Sequence, residues 1–158
     1  IRSSNETLNI LISIIFASFT MDYFARLFLQ GSNLSMYLME NLPIAILTNE
    51  TANSFSFQNS RNNIANLEHI LKSTALKLVC LSSQFNSLLQ EVFGPQANYK
   101  THGVTDPVQR QILKNQIDAM VAKIYGLEEA ELKHILSTFP LVEEEIKEGV
   151  LEEWRKLM

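Results

Sequence analysis

The chain has 158 residues, 46% of them hydrophobic and 19% charged, with a formal net charge of −4 at pH 7. That length suits one domain or one compact piece of a larger assembly, and a chain of this size can bury about two-thirds of its unfolded surface. The composition excludes a disordered chain. The negative charge excludes the overall basic signature of a self-sufficient DNA-binding domain, so any contact with DNA falls to a local patch.

Ser3, Ser4, Asn5 and Glu6 offer capping groups ahead of an apolar run, and a helix is expected from residue 5 to residue 28. Ile12, Phe16, Phe19, Tyr23 and Leu27 recur at threes and fours and give it one buried stripe. The most apolar part, Leu8 to Phe19, is interrupted by Asn9, Ser13 and Ser18. It is shorter than the roughly 20 apolar residues of a membrane span, so it reads as a core helix, with no membrane partner expected. Gln30-Gly31-Ser32-Asn33 stops the helix, Gly31 suiting a left-handed terminal position.

A short helical turn is expected at Met36–Glu40, ended by Asn41-Leu42-Pro43. The run Ile44-Ala45-Ile46-Leu47 is the best candidate for a β-strand. Residues 48–60, rich in Asn, Ser and Thr, read as a surface connection pinned by Phe55 and Phe57. We therefore divide the chain into residues 1–50, a linker at 51–60, and a helical part at 61–158.

In that last part Ile64, Leu67, Ile70, Leu71, Thr74, Leu78 and Leu81 form a stripe of helical period. Ser82 or Ser83 is positioned to cap a second helix carrying Phe85, Leu88, Leu89 and Val92, closed by Gly94-Pro95. After a polar loop at 96–105, Asp106 serves as N-cap and Pro107 as the first helical residue of the next helix. Its expected buried face is Ile112, Ile117, Met120, Val121 and Ile124, and Gly126 ends it. A short helix at 128–137 and an amphipathic acidic tail follow. In the tail Val142, Ile146, Val150, Leu151 and Trp154 share one face. The fold class is therefore mainly α, with five or six helices, one or two short β-strands and a bundle-like C-terminal part.

Catalytic constellations are missing from the sequence. The five glycines form no phosphate-binding pattern. One cysteine and the scattered His69, His102 and His134 give no zinc spacing, so no metal is expected. Cys80 rules out an internal disulfide and reads as a small buried hydrophobe, which suits a reducing, cytoplasmic setting. Glu143, Glu144, Glu145, Glu148, Glu152 and Glu153 read as the solvated side of a helix. Candidate DNA contacts are Arg26, Gln30, Gly31, Ser32, Asn33 and Arg61, whose amide, hydroxyl and guanidinium groups suit base edges or phosphates. Tyr125, Phe139 and Trp154 read as packing residues.

Three stretches carry a resemblance. Phe16-Ala-Ser-Phe-Thr-Met-Asp-Tyr-Phe-Ala-Arg, followed by Gly31-Ser-Asn-Leu-Ser and Met39-Glu-Asn-Leu-Pro-Ile, resembles a target-recognition element. Such elements occur in fused restriction–modification adenine-N6 DNA methyltransferases, and more distantly in type I specificity subunits. Leu81-Ser-Ser-Gln-Phe-Asn-Ser-Leu resembles a segment downstream of it. The most specific match is Gln116-Ile-Asp-Ala-Met-Val-Ala-Lys-Ile-Tyr-Gly-Leu with Glu131-Leu-Lys-His-Ile-Leu-Ser-Thr-Phe-Pro, similar to the family's C-terminal helical pair. The acidic sequence from Glu143 departs from the basic segment of many relatives.

The resemblance implies that this chain is the C-terminal, non-enzymatic part of a bacterial DNA-modifying protein. The family's Asn-Pro-Pro-Tyr motif and S-adenosylmethionine-binding glycine motif do not occur in these residues. S-adenosylmethionine and methyl transfer would belong to an upstream methyltransferase domain, with or without an endonuclease. DNA would be met through the parent protein, with this chain supplying recognition and scaffold. The alternative expectation is a helical subunit-docking module without DNA contact.

Overall fold

The computed structural model describes residues 2–28, 40–45 and 63–157. Eight α-helices lie among them: α1 (Arg2–Phe16), α2 (Phe19–Phe28), α3 (Asn63–Val79), α4 (Asn86–Phe93), α5 (Tyr99–His102), α6 (Pro107–Ile124), α7 (Glu129–Ser137) and α8 (Glu144–Lys156). A 3₁₀ turn at Ser83–Phe85 precedes α4. The mainly α expectation holds, but the helix count is higher and no β-strand occurs among the described residues.

The extra helices have identifiable polar causes. The helix expected at 5–28 is two helices that meet at 71°. At the corner the Ser18 hydroxyl donates to the Ile15 carbonyl (2.7 Å) and accepts the Met21 N–H (3.2 Å). One side chain thus closes α1 and caps α2, a competition with the backbone ladder for which serine is suited. The expected polar loop at 96–105 contains α5. Asn98 caps it, its side chain accepting the Lys100 and Thr101 N–H groups.

The strand expected at Ile44–Leu47 is not formed at its described residues, Ile44 and Ala45. Their donors are already used: the Ile44 N–H bonds to the Leu42 carbonyl and the Ala45 N–H to the Tyr125 hydroxyl. Of the expected turn at Met36–Glu40 only Glu40 is described, and it is helical. The linker residues 51–60 lie outside the described residues.

Helix α6 is the centre of the molecule. Asp106 Oδ1 accepts the Gln109 N–H (2.8 Å) with Pro107 behind it, so the helix starts where its residues place it. Gly126, at φ +71°, lets the chain leave the helix at the other end. One face (Ile117, Met120, Val121 and Ile124) packs with Ile14 of α1 and Leu67, Leu71 and Ala75 of α3. The opposite face is small: Ala119 and Ala122 meet Leu132 and Leu136 of α7 and Val150, Leu151 and Trp154 of α8. Gly149 of α8 continues this close approach, since a Cβ there would collide with Asn115 Nδ2.

Burial along α6 begins at Asn115. Ile112, expected on the buried face, is 38% exposed, and Val108 is 67% exposed. A third cluster joins Leu76 and Cys80 of α3's end to Leu89 and Ala97. Arg110 secures that junction by donating to the carbonyls of Leu78 (2.8 Å) and Val104 (2.7 Å). Among the described residues no single helix is long and apolar enough to cross a membrane.

Candidate nucleic-acid interface

Of the six candidate DNA contacts, Arg26 is described; Gln30, Gly31, Ser32, Asn33 and Arg61 lie outside the described residues. Two described flanks bracket the 30–33 loop in sequence: α2 before it and residues 40–45 after it. Each is tied to the C-terminal helices by specific polar contacts.

Helix α2 is fixed at its start by Asp118 of α6. The Asp118 Oδ1 accepts the Phe19 N–H at 2.8 Å, one of the donors that every helix leaves unpaired in its first turn. Asp118 is 9% exposed. Burial pushes its carboxyl up to about 7, while the Phe19 N–H and the Lys114 charge pull it down. Near the other end of α2, the Arg26 guanidinium stacks 3.9 Å from the centroid of the Phe139 ring. It also donates to the Thr138 carbonyl (3.3 Å) and hydroxyl (3.5 Å) and pairs with Asp22 (3.3 Å). Between these contacts, Phe19 meets Phe139 edge to face at 4.8 Å and Phe24 lies against Tyr125 at 5.4 Å.

The second flank is held by Tyr125. Its hydroxyl donates to the Pro43 carbonyl (2.6 Å) and accepts the Ala45 N–H (3.2 Å). Burial raises the phenol pKa. Leu42 beside it packs with Ile15 and Met21 of the α1–α2 corner.

Asp118, Tyr125 and Thr138 do not stand out as site candidates in the sequence. Asp118 carries one signal: it is a carboxylate within a helical window whose neighbours are apolar. Tyr125 and Phe139 pack as expected, but the Tyr125 hydroxyl also carries two backbone partners. Trp154, expected to pack likewise, is 5% exposed beneath the Lys123 ammonium, 4.6 Å from its ring centroid.

The acidic tail forms a surface ion network. Arg155 bridges Glu129 (2.7 Å) and Glu148 (2.8 Å), and Lys133 joins Glu129 at 2.9 Å. Hydrogen bonds from Arg155 and Lys133 hold the Glu129 carboxyl down at about 2. Among the described residues no group of three or more His, Cys, Asp or Glu side chains is placed to hold a metal ion. No family model matches the chain, nor does any curated protein or solved structure.

Proposed function

We propose that this chain is the recognition scaffold of an adenine-N6 DNA methyltransferase or fused restriction–modification protein, and is not itself an enzyme. It would present the Gly31-Ser32-Asn33 loop to DNA while an upstream domain, using S-adenosylmethionine, modifies an extruded adenine. One observation carries the reading. The stretches that most resemble the family's C-terminal helical pair supply Asp118, Tyr125, Thr138 and Phe139, and these same residues anchor both flanks of the loop. Base readout needs side chains held in register by a rigid support, and anchored elements on either side of the loop in sequence favour this reading.

In this reading Arg26 contributes through its scaffold contacts. Gln30, Ser32 and Asn33 make the base contacts, and Gly31 lets the backbone turn. Arg61 meets phosphate.

The test is DNA binding by the full-length protein that carries this chain, at two salt concentrations, with Ser32→Ala and Asn33→Ala. Loss of sequence preference is expected, with most of the salt-dependent nonspecific affinity retained. Unchanged preference in a folded double variant overturns the reading.

A further inference from the structure

We propose that the groove between the first half of α6 and α8 docks a basic amphipathic helix of a partner protein. The groove has a volume of about 700 Å³ and is lined on the α6 side by Val108 and Ile112, with Ile146 from α8. Val108 and Ile112 stand one helical turn apart, 67% and 38% exposed. They form an apolar strip that no described element covers. The α8 side of the groove carries Glu145, Glu148 and Glu152, spaced three and four residues apart and so aligned along one face. Among the described residues no Lys, Arg or His lines the groove. Glu145 and Glu152 form no salt bridge among the described residues, and Glu148 shares Arg155 with Glu129.

An apolar strip beside a parallel row of carboxylates is complementary to a helix with apolar anchors at i, i+3 or i+4 and i+7 and a flank of Lys or Arg. Charge complementarity of this kind sets orientation and encounter rate. The Asn115–Gly149 contact fixes the spacing of the two walls. In the adjoining cleft Leu141 is 97% exposed and extends the apolar surface beyond α6. Lys114 also lines that cleft, while the Arg110 guanidinium beside it is occupied by two backbone carbonyls. A groove of this charge repels DNA, so its occupant is separate from the DNA of the function proposed above.

The probe is a fluorescently labelled designed helical peptide with a leucine ridge and one flank of lysines, titrated into the full chain and followed by anisotropy. Saturable binding is expected, weakened by added salt. Val108→Glu, at a largely exposed position that leaves the core intact, and the pair Glu145→Lys with Glu152→Lys should each weaken it by about tenfold or more. Glu91→Lys on α4 should leave it unchanged. Equal binding of a peptide with glutamates in place of lysines overturns the proposal, as does binding that ignores the groove substitutions. So does sedimentation showing that the chain dimerises through this face in a Val108-dependent way, because the occupant is then a second copy.

Discussion

Asp118 is the residue on which local chemistry and folding meet most directly. Its ordinary carboxyl pKa of 3.8 rises to about 7 in the folded chain, because burial penalises the charge more than the Phe19 N–H and Lys114 favour it. Below the unfolded value both states hold the proton, and the site carries no charge penalty. Between about 4 and 7 the unfolded chain releases the proton while the folded chain keeps it, so this site's contribution to stability falls as pH rises, and above 7 it is constant. Asp118→Asn keeps an oxygen for the Phe19 N–H and removes the titration. The difference in unfolding free energy between the two proteins should therefore move in favour of the variant with a limiting slope of about 1.4 kcal/mol per pH unit across that window. Urea denaturation from pH 4 to pH 8 measures it, and a wild type that gains on the variant with rising pH would contradict the assignment.

At the scale of elements, the decisive features are the α1–α2 corner and the segment after the 30–33 loop. Both share the apolar cluster of Ile15, Met21 and Leu42, and polar contacts fix their backbones. Ser18 and Asp118 satisfy backbone groups released by the 71° break, and Tyr125 satisfies the Pro43 carbonyl and the Ala45 N–H. Tyr125→Phe removes both hydroxyl bonds while the ring remains against Phe24. The Ala45 N–H is then left without its partner, and a loss of about 1–2 kcal/mol in unfolding free energy is expected. Amide exchange at Ala45 should accelerate more than exchange in α6, because the change loosens one segment and leaves the core intact. Uniform acceleration across the molecule would instead assign Tyr125 to the global core.

The helix boundaries show which element features are legible in the residues. Asp106-Pro107 and Gly126 act locally, through one side-chain cap and one left-handed backbone position, and they start and stop α6 as expected. The division at Ala17-Ser18 is not legible. Serine is tolerated within a helix, and the second acceptor that makes the break favourable, Asp118, lies far along the chain. The strand expected at Ile44–Leu47 is not formed at its described residues, Ile44 and Ala45, for a related reason. An apolar run has no way of specifying whether its N–H groups will meet a sheet or a tyrosine hydroxyl.

Across the whole molecule, α6 joins two of the clusters, and α3 carries the packing on to the Cys80 cluster under α4. Cys80 has no exposed surface, and burial raises its thiol pKa. A thiol reagent should therefore label the native chain only through opening, with a rate that tracks the unfolding equilibrium as urea is added. Rapid labelling without denaturant would mean that the α3–α4 junction opens independently of the core. Trp154, the sole tryptophan, lies in the cluster on the other side of α6 and gives a second probe of the same transition.

By itself the sequence determined that this chain is mainly helical, where α6 begins and ends, that α7 and α8 turn Leu132, Leu136, Val150, Leu151 and Trp154 inward, and that Cys80 is a core residue. Those properties follow from periodicity, capping and hydrophobicity, which act over a few residues. Tertiary structure alone decided the α1–α2 corner, the engagement of Arg26 by Phe139 and Thr138, and the partners of Asp118 and Tyr125. It also decided the exposure of Val108 and Ile112 beside a row of glutamates. Each of these depends on groups distant in sequence meeting in space, where burial and hydrogen-bond satisfaction set the outcome.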